Sequence, residues 1–305
     1  MTRAERKVTQ RERRARTGAS AAEPRTPDGA GAPGAAARPD RIAEAFARRR
    51  AGGEAALVTY VMAGDPDLAT SRAMALACVE GGADLLELGI PFSDPIADGP
   101  TIQHAAERAL AAGTTTRGVL EVAAAVRARA PSVPIALMGY LNPILAHGVE
   151  PFLDGCARAG VDALIVPDLL PEEAAELAEP AAARGVKLVF LLAPTSGPAR
   201  IEAATRAATG FLYFVSVTGV TGARRALPAE LGAQVAAVRA RSAVPVVVGF
   251  GVSTPAQASE LAPLADGVVV GSAIVSRIAE GGPRSARAAR VRRFVASLRR
   301  ALKRR

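Results

Sequence analysis

Two carboxylates and a set of glycine-rich loops are the groups in this chain with chemistry to offer. The stretch LLELGIPFSDPIADGPTIQ, residues 85–103, opens as an apolar strand with Glu87 in its middle. It runs into a proline-rich loop that carries Asp94 and Asp98. A carboxylate buried without a partner is costly as an anion, so it is paired or it holds a proton. Strand alternation sets Leu85, Glu87 and Gly89 on one face and Leu86, Leu88 and Ile90 on the other. If that first face lines an apolar mouth, the Glu87 pKa rises toward neutrality, as a proton shuttle requires. The alternative is an inward ion pair, for instance with an arginine. Asp98 reads as exposed and ionised, able to stabilise positive charge developing on a substrate. Its alternative is an ordinary turn or helix-capping aspartate near Thr101.

The glycines suggest an anion. TGVTG (218–222), GFG (249–251) and VGSA (270–273) each present backbone N–H groups with no bulky side chain to block approach. Gly271 and Ser272 open a short helical pattern, whose N-terminus favours an anion through its free N–H groups and dipole. The other reading is that these glycines only permit tight turns.

Other chemistries are short of residues. The chain has three lysines, Lys7, Lys187 and Lys303, none at the end of a strand pattern where a Schiff base would form. His104 and His147 are too few for a histidine metal cluster, and Asp94 with Asp98 makes a weak magnesium site. No Ser–His or Cys–His pairing stands out, and Cys78 and Cys156 fall in helical patterns as small core residues. Acid–base work by carboxylates is what remains.

Eight apolar runs must position these groups. They cover residues 55–63, 85–90, 134–140, 163–168, 187–194, 211–217, 245–251 and 267–273, separated by Ala-rich helical patterns. Runs nearly continuous in Val, Leu, Ile and Ala suit parallel strands covered on both faces. Eight such units over about 220 residues predict a (β/α)8 TIM barrel, with an open doubly wound sheet as the runner-up. In a barrel the active groups sit at the C-terminal ends of the strands. Asp65, Glu87, Tyr140, Asn142, Asp168, Thr195, Ser196 and the glycine motifs all fall there. Phosphate binding by the loops after the last strands fits the same rule.

The formal charge of +9 resides in the ends. Residues 1–40 carry a net +4 and residues 284–305 a net +10, which leaves residues 41–283 at −5. The first 40 residues, rich in Ala, Arg, Gly and Pro, cannot bury enough apolar surface to order themselves and read as a disordered basic extension. They lack the apolar centre of a secretory signal. Val291, Phe294, Val295, Leu298 and Leu302 recur at helical spacing and predict a packed basic helix over about 284–302 with a solvated arginine face. Neither end is read as a nucleic-acid site. No apolar run reaches the length of a membrane span, and two cysteines make no disulfide framework, so a cytoplasmic protein is expected.

The stretch LELGIPFSDPIADGPTIQ closely resembles the signature of tryptophan synthase alpha chains. GDP (64–66), YLNPI (140–144), VPDLLPEE (166–173), SVTGVTG (216–222), GFGVS (249–253) and GSAIV (271–275) fit the same family in its order. The likeness runs from about residue 41 to residue 277. It implies a lyase that cleaves indole-3-glycerol phosphate to indole and glyceraldehyde 3-phosphate by a retro-aldol route, with no cofactor in this chain. Carried over, Glu87 is the catalytic acid–base at indole C3 and Asp98 the partner of the indole N–H. Gly222, Gly251, Gly271 and Ser272 are the phosphate-binding positions. Ile102, Leu137, Tyr213 and Phe250 become walls of the indole pocket, and Thr221 belongs to the lid after strand six. Tyr60 stands where the family has Phe, adding a hydrogen bond or narrowing the site. The resemblance also implies a pyridoxal-phosphate-dependent beta chain as partner in an alpha2–beta2 heterotetramer. That partner receives indole and covers the mouth near Asp98, Asn142 and Pro143. The two basic ends go beyond the family pattern.

Overall fold

The computed structural model describes residues 38–215, 230–249 and 251–303. From residue 39 onward the chain is one compact unit built around a closed eight-stranded parallel barrel, paired in sequence order from β1 to β8 and back to β1. The strands are β1 (Ala56–Met62), β2 (Leu85–Gly89), β3 (Ile135–Met138), β4 (Ala163–Ile165), β5 (Lys187–Leu192), β6 (Leu212–Val215), β7 (Val246–Gly249) and β8 (Gly267–Val270). Each is shorter than its apolar run in the sequence. The surplus residues, such as Gly139–Tyr140 and Pro167–Asp168, turn outward at the C-terminal rim as loops.

Twelve helices are described. They are α1 (Arg41–Ala51), α2 (Leu68–Glu80), α3 (Pro100–Ala111), α4 (Thr116–Arg129), α5 (Leu141–His147) and α6 (Val149–Ala159). The rest are α7 (Ala175–Ala183), α8 (Pro198–Ala207), α9 (Leu231–Arg239), α10 (Pro255–Leu261), α11 (Ser272–Ala279) and α12 (Arg284–Ala301). Alternation divides the strands cleanly. Leu57, Leu86, Leu88, Leu137 and Val248 join the layer between barrel and helices, whereas Val58, Leu85, Ala136, Val189 and Val247 fill the interior. Asp40 caps α1 by accepting from Ala43 N–H at 3.0 Å. Ile42 and Phe46 of α1 then enter the interior cluster, with the Phe46 and Phe211 rings 6.0 Å apart, so α1 closes the N-terminal end.

That end is stitched by a repeated aspartate. Asp84, Asp162 and Asp266 stand just before β2, β4 and β8, and each accepts from the backbone N–H of the preceding strand: Leu57 at 2.9 Å, Ile135 at 2.8 Å and Val246 at 3.0 Å. Each also meets an arginine. Asp84 is held by Arg49 at 2.6 Å and by Arg299 at 2.7 Å, and Arg299 reaches Glu54 at 2.9 Å. Arg299 belongs to α12, whose Val291, Phe294, Val295 and Leu298 are buried, so part of the arginine-rich end is structural rather than solvated. Cys78 and Cys156 are buried. Among the described residues no helix is long and apolar enough to cross a membrane.

Candidate active site

Glu87 lies in the middle of β2, opposite Tyr60 of β1 and Ala136 of β3. Its neighbours on the same face are interior residues, so alternation drives its carboxyl into the barrel mouth. It is 1% exposed. Its Oε1 has no hydrogen-bond partner among the described residues, and no described arginine pairs with it. Burial alone pushes its pKa up to about 8, so the group is predominantly protonated at neutral pH. The ion-pair alternative does not hold among the described residues.

Asp98 is half-buried rather than exposed, because Tyr140 folds across it. The Tyr140 hydroxyl donates to Asp98 Oδ2 at 3.2 Å and accepts from Ala97 N–H at 2.9 Å. Burial raises the Asp98 pKa to about 6, with the Tyr140 hydrogen bond opposing that shift. At neutral pH the carboxyl remains mostly ionised. The adjoining Asp94 is exposed; its carboxylate accepts from the Ser93 hydroxyl and its carbonyl from Ile96 N–H at 2.9 Å. Two carboxyls thus line one site with separated proton affinities, one an acid and one an anion.

Both line a single cavity of about 260 Å³, near the lower end of small-ligand pockets. Its walls include Tyr60, Ile102, Met138, Tyr213 and Val269. Leu137, expected in that wall, instead faces the surrounding helices, since alternation gives the inward place on β3 to Met138. Among the described residues the Tyr60 hydroxyl finds only the Met62 Sδ at 3.8 Å as acceptor, a weak contact. Burial, then the nearby carboxylates, raise the Tyr60 and Tyr213 phenols well above 10, so both stay protonated.

The same cavity reaches Gly251, Ser253, Gly271 and Ser272. Gly251 has φ +81°, a left-handed conformation that glycine adopts without strain. At Gly271 a Cβ would come within 3.3 Å of the Tyr60 Cβ, so the chain passes close to the wall here. Gly271 caps α11 with no side-chain hydrogen bond, which leaves the first amides of α11 for an anion. Gly222, Thr221 and Phe250 lie outside the described residues. Met138, Thr101, Ser253 and Ser276 also line the cavity and were not singled out in the sequence. Only the inward phase of β3 could have signalled Met138.

A family model described as "Tryptophan synthase alpha chain" matches residues 46–303. The chain belongs to the tryptophan synthase alpha chain family. A family member from Citrifermentans bemidjiense is 57% identical over 235 residues, covering 77% of this chain and 88% of its own length. Another, from Pelobacter propionicus, is 51% identical over 263 residues, with 86% and 98% covered. A solved structure of Mycobacterium tuberculosis tryptophan synthase superposes with a TM-score of 0.80 at 39% identity, covering 87% of this chain and 99% of that one. The family match extends through α12 to Lys303, beyond the end of the likeness seen in the sequence motifs.

Proposed function

We infer that this chain is the alpha subunit of tryptophan synthase, a carbon–carbon lyase that cleaves indole-3-glycerol phosphate to indole and glyceraldehyde 3-phosphate. The observation that carries the reading is one cavity with a protonated buried carboxyl, Glu87, and an amide-rich helix start at Gly271–Ser272. An aromatic ring between Ile102, Met138 and Tyr213 would leave its glycerol phosphate directed to those amides.

The chemistry follows from the two proton affinities. Glu87 donates its proton to indole C3, which becomes tetrahedral while positive charge develops on the ring nitrogen. Asp98, ionised, accepts the hydrogen bond of that N–H and stabilises the charge. Glu87, now a carboxylate, takes the proton of the glycerol hydroxyl adjoining C3. The bond between C3 and that carbon breaks, its electron pair returns to the ring, and an aldehyde leaves. The proton is conserved, and no redox partner or cofactor in this chain enters.

Family membership implies a beta-chain partner. We assign it the heterotetrameric form with pyridoxal phosphate held by the beta chain, which joins the released indole to serine. Ile96, Leu145 and Leu170, which are 86%, 52% and 40% exposed, stand on segments after the neighbouring strands β2, β3 and β4, and these exposed apolar side chains support docking on that side of the mouth. Two buried cysteines and no described membrane-spanning helix fit action in the cytoplasm. The test is Glu87→Gln, which keeps the shape and removes proton transfer. Indole release should fall by about 10²-fold or more, and near-normal turnover would refute the assignment.

A further inference from the structure

The residue that holds Asp98 has a support of its own. Tyr140 is the last residue before α5, and it touches the Asp98 loop in three ways. Its ring lies 5.4 Å from that of Phe92, its hydroxyl accepts from Ala97 N–H, and the same hydroxyl donates to Asp98. A phenol has one proton, so accepting from the amide commits that proton to the carboxylate. Tyr140 itself is kept protonated, because burial and then the Asp98 charge raise its pKa. The backbone beside it is fixed from β4: Asp168 accepts from Leu141 N–H with both oxygens, at 3.0 and 3.2 Å. Tyr140 offers α5 no side-chain cap, so Asp168 supplies from another loop what the helix start lacks. From the other side, Gln103 Nε2 donates to the Asp98 carbonyl at 2.8 Å.

We propose that Tyr140 is a positioning residue that presents Asp98 to the cavity as a hydrogen-bond acceptor, and that Asp168 is the fixed point from which it does so. The inference rests on the role given to Asp98 above. It accounts for a phenol, a helix start and a carboxylate on three loops being joined in one line. The ionisable groups facing Asp98 are Tyr140 from the β3 loop, Glu87 from β2, Tyr60 from β1 and Tyr213 from β6. Asp65, bound bidentately by Arg108 at 2.8 Å, acts on Tyr60 from the β1 loop, and Asp94 adjoins Asp98 in its own loop. Of these, Tyr140 alone is within hydrogen-bond distance of the Asp98 carboxylate among the described residues.

The test is the pH profile of kcat/KM for indole release by the full chain, with Tyr140→Phe, Asp168→Ala, Asp168→Asn and Asp98→Asn. Tyr140→Phe keeps the ring against Phe92 and removes only the hydroxyl. Its low-pH limb should move upward by about half a unit or more, with loss concentrated in kcat. Asp168→Ala should shift the limb the same way, and Asp168→Asn, whose amide oxygen still accepts, should restore it. If Asp98→Asn abolishes turnover while Tyr140→Phe leaves both limb and rate unchanged, Tyr140 is a packing residue and the inference falls alone. If Asp98→Asn is itself near normal, the functional reading of Asp98 falls instead. Should Tyr140→Phe fail to fold, an Asp168→Ala enzyme with the wild-type limb overturns the proposal.

Discussion

The hydroxyl of Tyr60 stands where a side chain on Gly89 would have to go. A Cβ on Gly89 would lie 2.1 Å from Tyr60 Oη and 2.7 Å from its Cζ. The arrangement recurs across the barrel, where a Cβ on Gly249 would lie 2.5 Å from Tyr213 Oη. In both cases the glycine follows by two residues the strand partner of the tyrosine: Glu87 for Tyr60 and Val247 for Tyr213. Each phenol reaches into the mouth because the next strand leaves it a gap.

Gly89→Ala should therefore push the Tyr60 ring into the cavity. Overpacking of this kind costs about 1–3 kcal/mol, and indole release should fall with a raised KM. Tyr60→Phe added to Gly89→Ala should restore part of both, since Oη is the nearest clash but Cζ is also too close. Melting curves and KM for the two variants check it; a double variant no better than the single one would contradict the account.

The two carboxyls set a window for turnover. Asp98 must be ionised, so kcat/KM should rise as pH passes about 6. Glu87 must start protonated, so it should fall as pH passes about 8. A bell between those limits is expected in initial-rate measurements, and the residual rate of Asp98→Asn should lack the low-pH limb.

Glu87 also links folding to pH. Its folded pKa lies above the ordinary value of 4.5, so from about 4.5 to about 8 the folded chain holds a proton that the unfolded chain has released. Its contribution to stability is present in full below that range and is lost as pH rises through it. Glu87→Gln removes the dependence. Denaturant titrations should find the variant more stable than the parent at pH 9, by on the order of a few kcal/mol, and the gap should shrink toward pH 5.

At the opposite end, Arg299→Ala removes one of three arginines around buried Asp84, and one of the two on Glu54. Breaking a buried pair costs about 3–5 kcal/mol, and the remaining Arg49, with the more exposed Arg48, should reduce this to about 2–3 kcal/mol. Calorimetry should show a melt lower by about 5–10 °C, with kcat/KM unaltered well below it.

The sequence displays the barrel because each buried strand must be apolar throughout and each rim must carry loop chemistry. Glu87 could be assigned an inward side because its strand is long enough for alternation to have one phase. Leu137 enters the expected wall through the family resemblance and not through alternation, and on β3 a shift of one position exchanges the two faces, which gives the inward place to Met138. Asp98 looks exposed in the sequence because nothing in its own loop reveals the Tyr140 ring arriving from 42 residues away. Asp84, Asp162 and Asp266 recur visibly before strands in GADL, GVDA and LADG, but their arginines come from distant helices and carry no local sign.

Glu87 rests on a strand laddered to both neighbours, whereas Asp98 rests on a loop moored by a neighbour's phenol and one glutamine. Moving the first demands that the barrel come apart; moving the second demands a small loop excursion. Anything settling on Ile96, two residues from Asp98, would thus have leverage over one carboxylate and none over the other. The lyase could then idle or engage with its calorimetric signature unchanged.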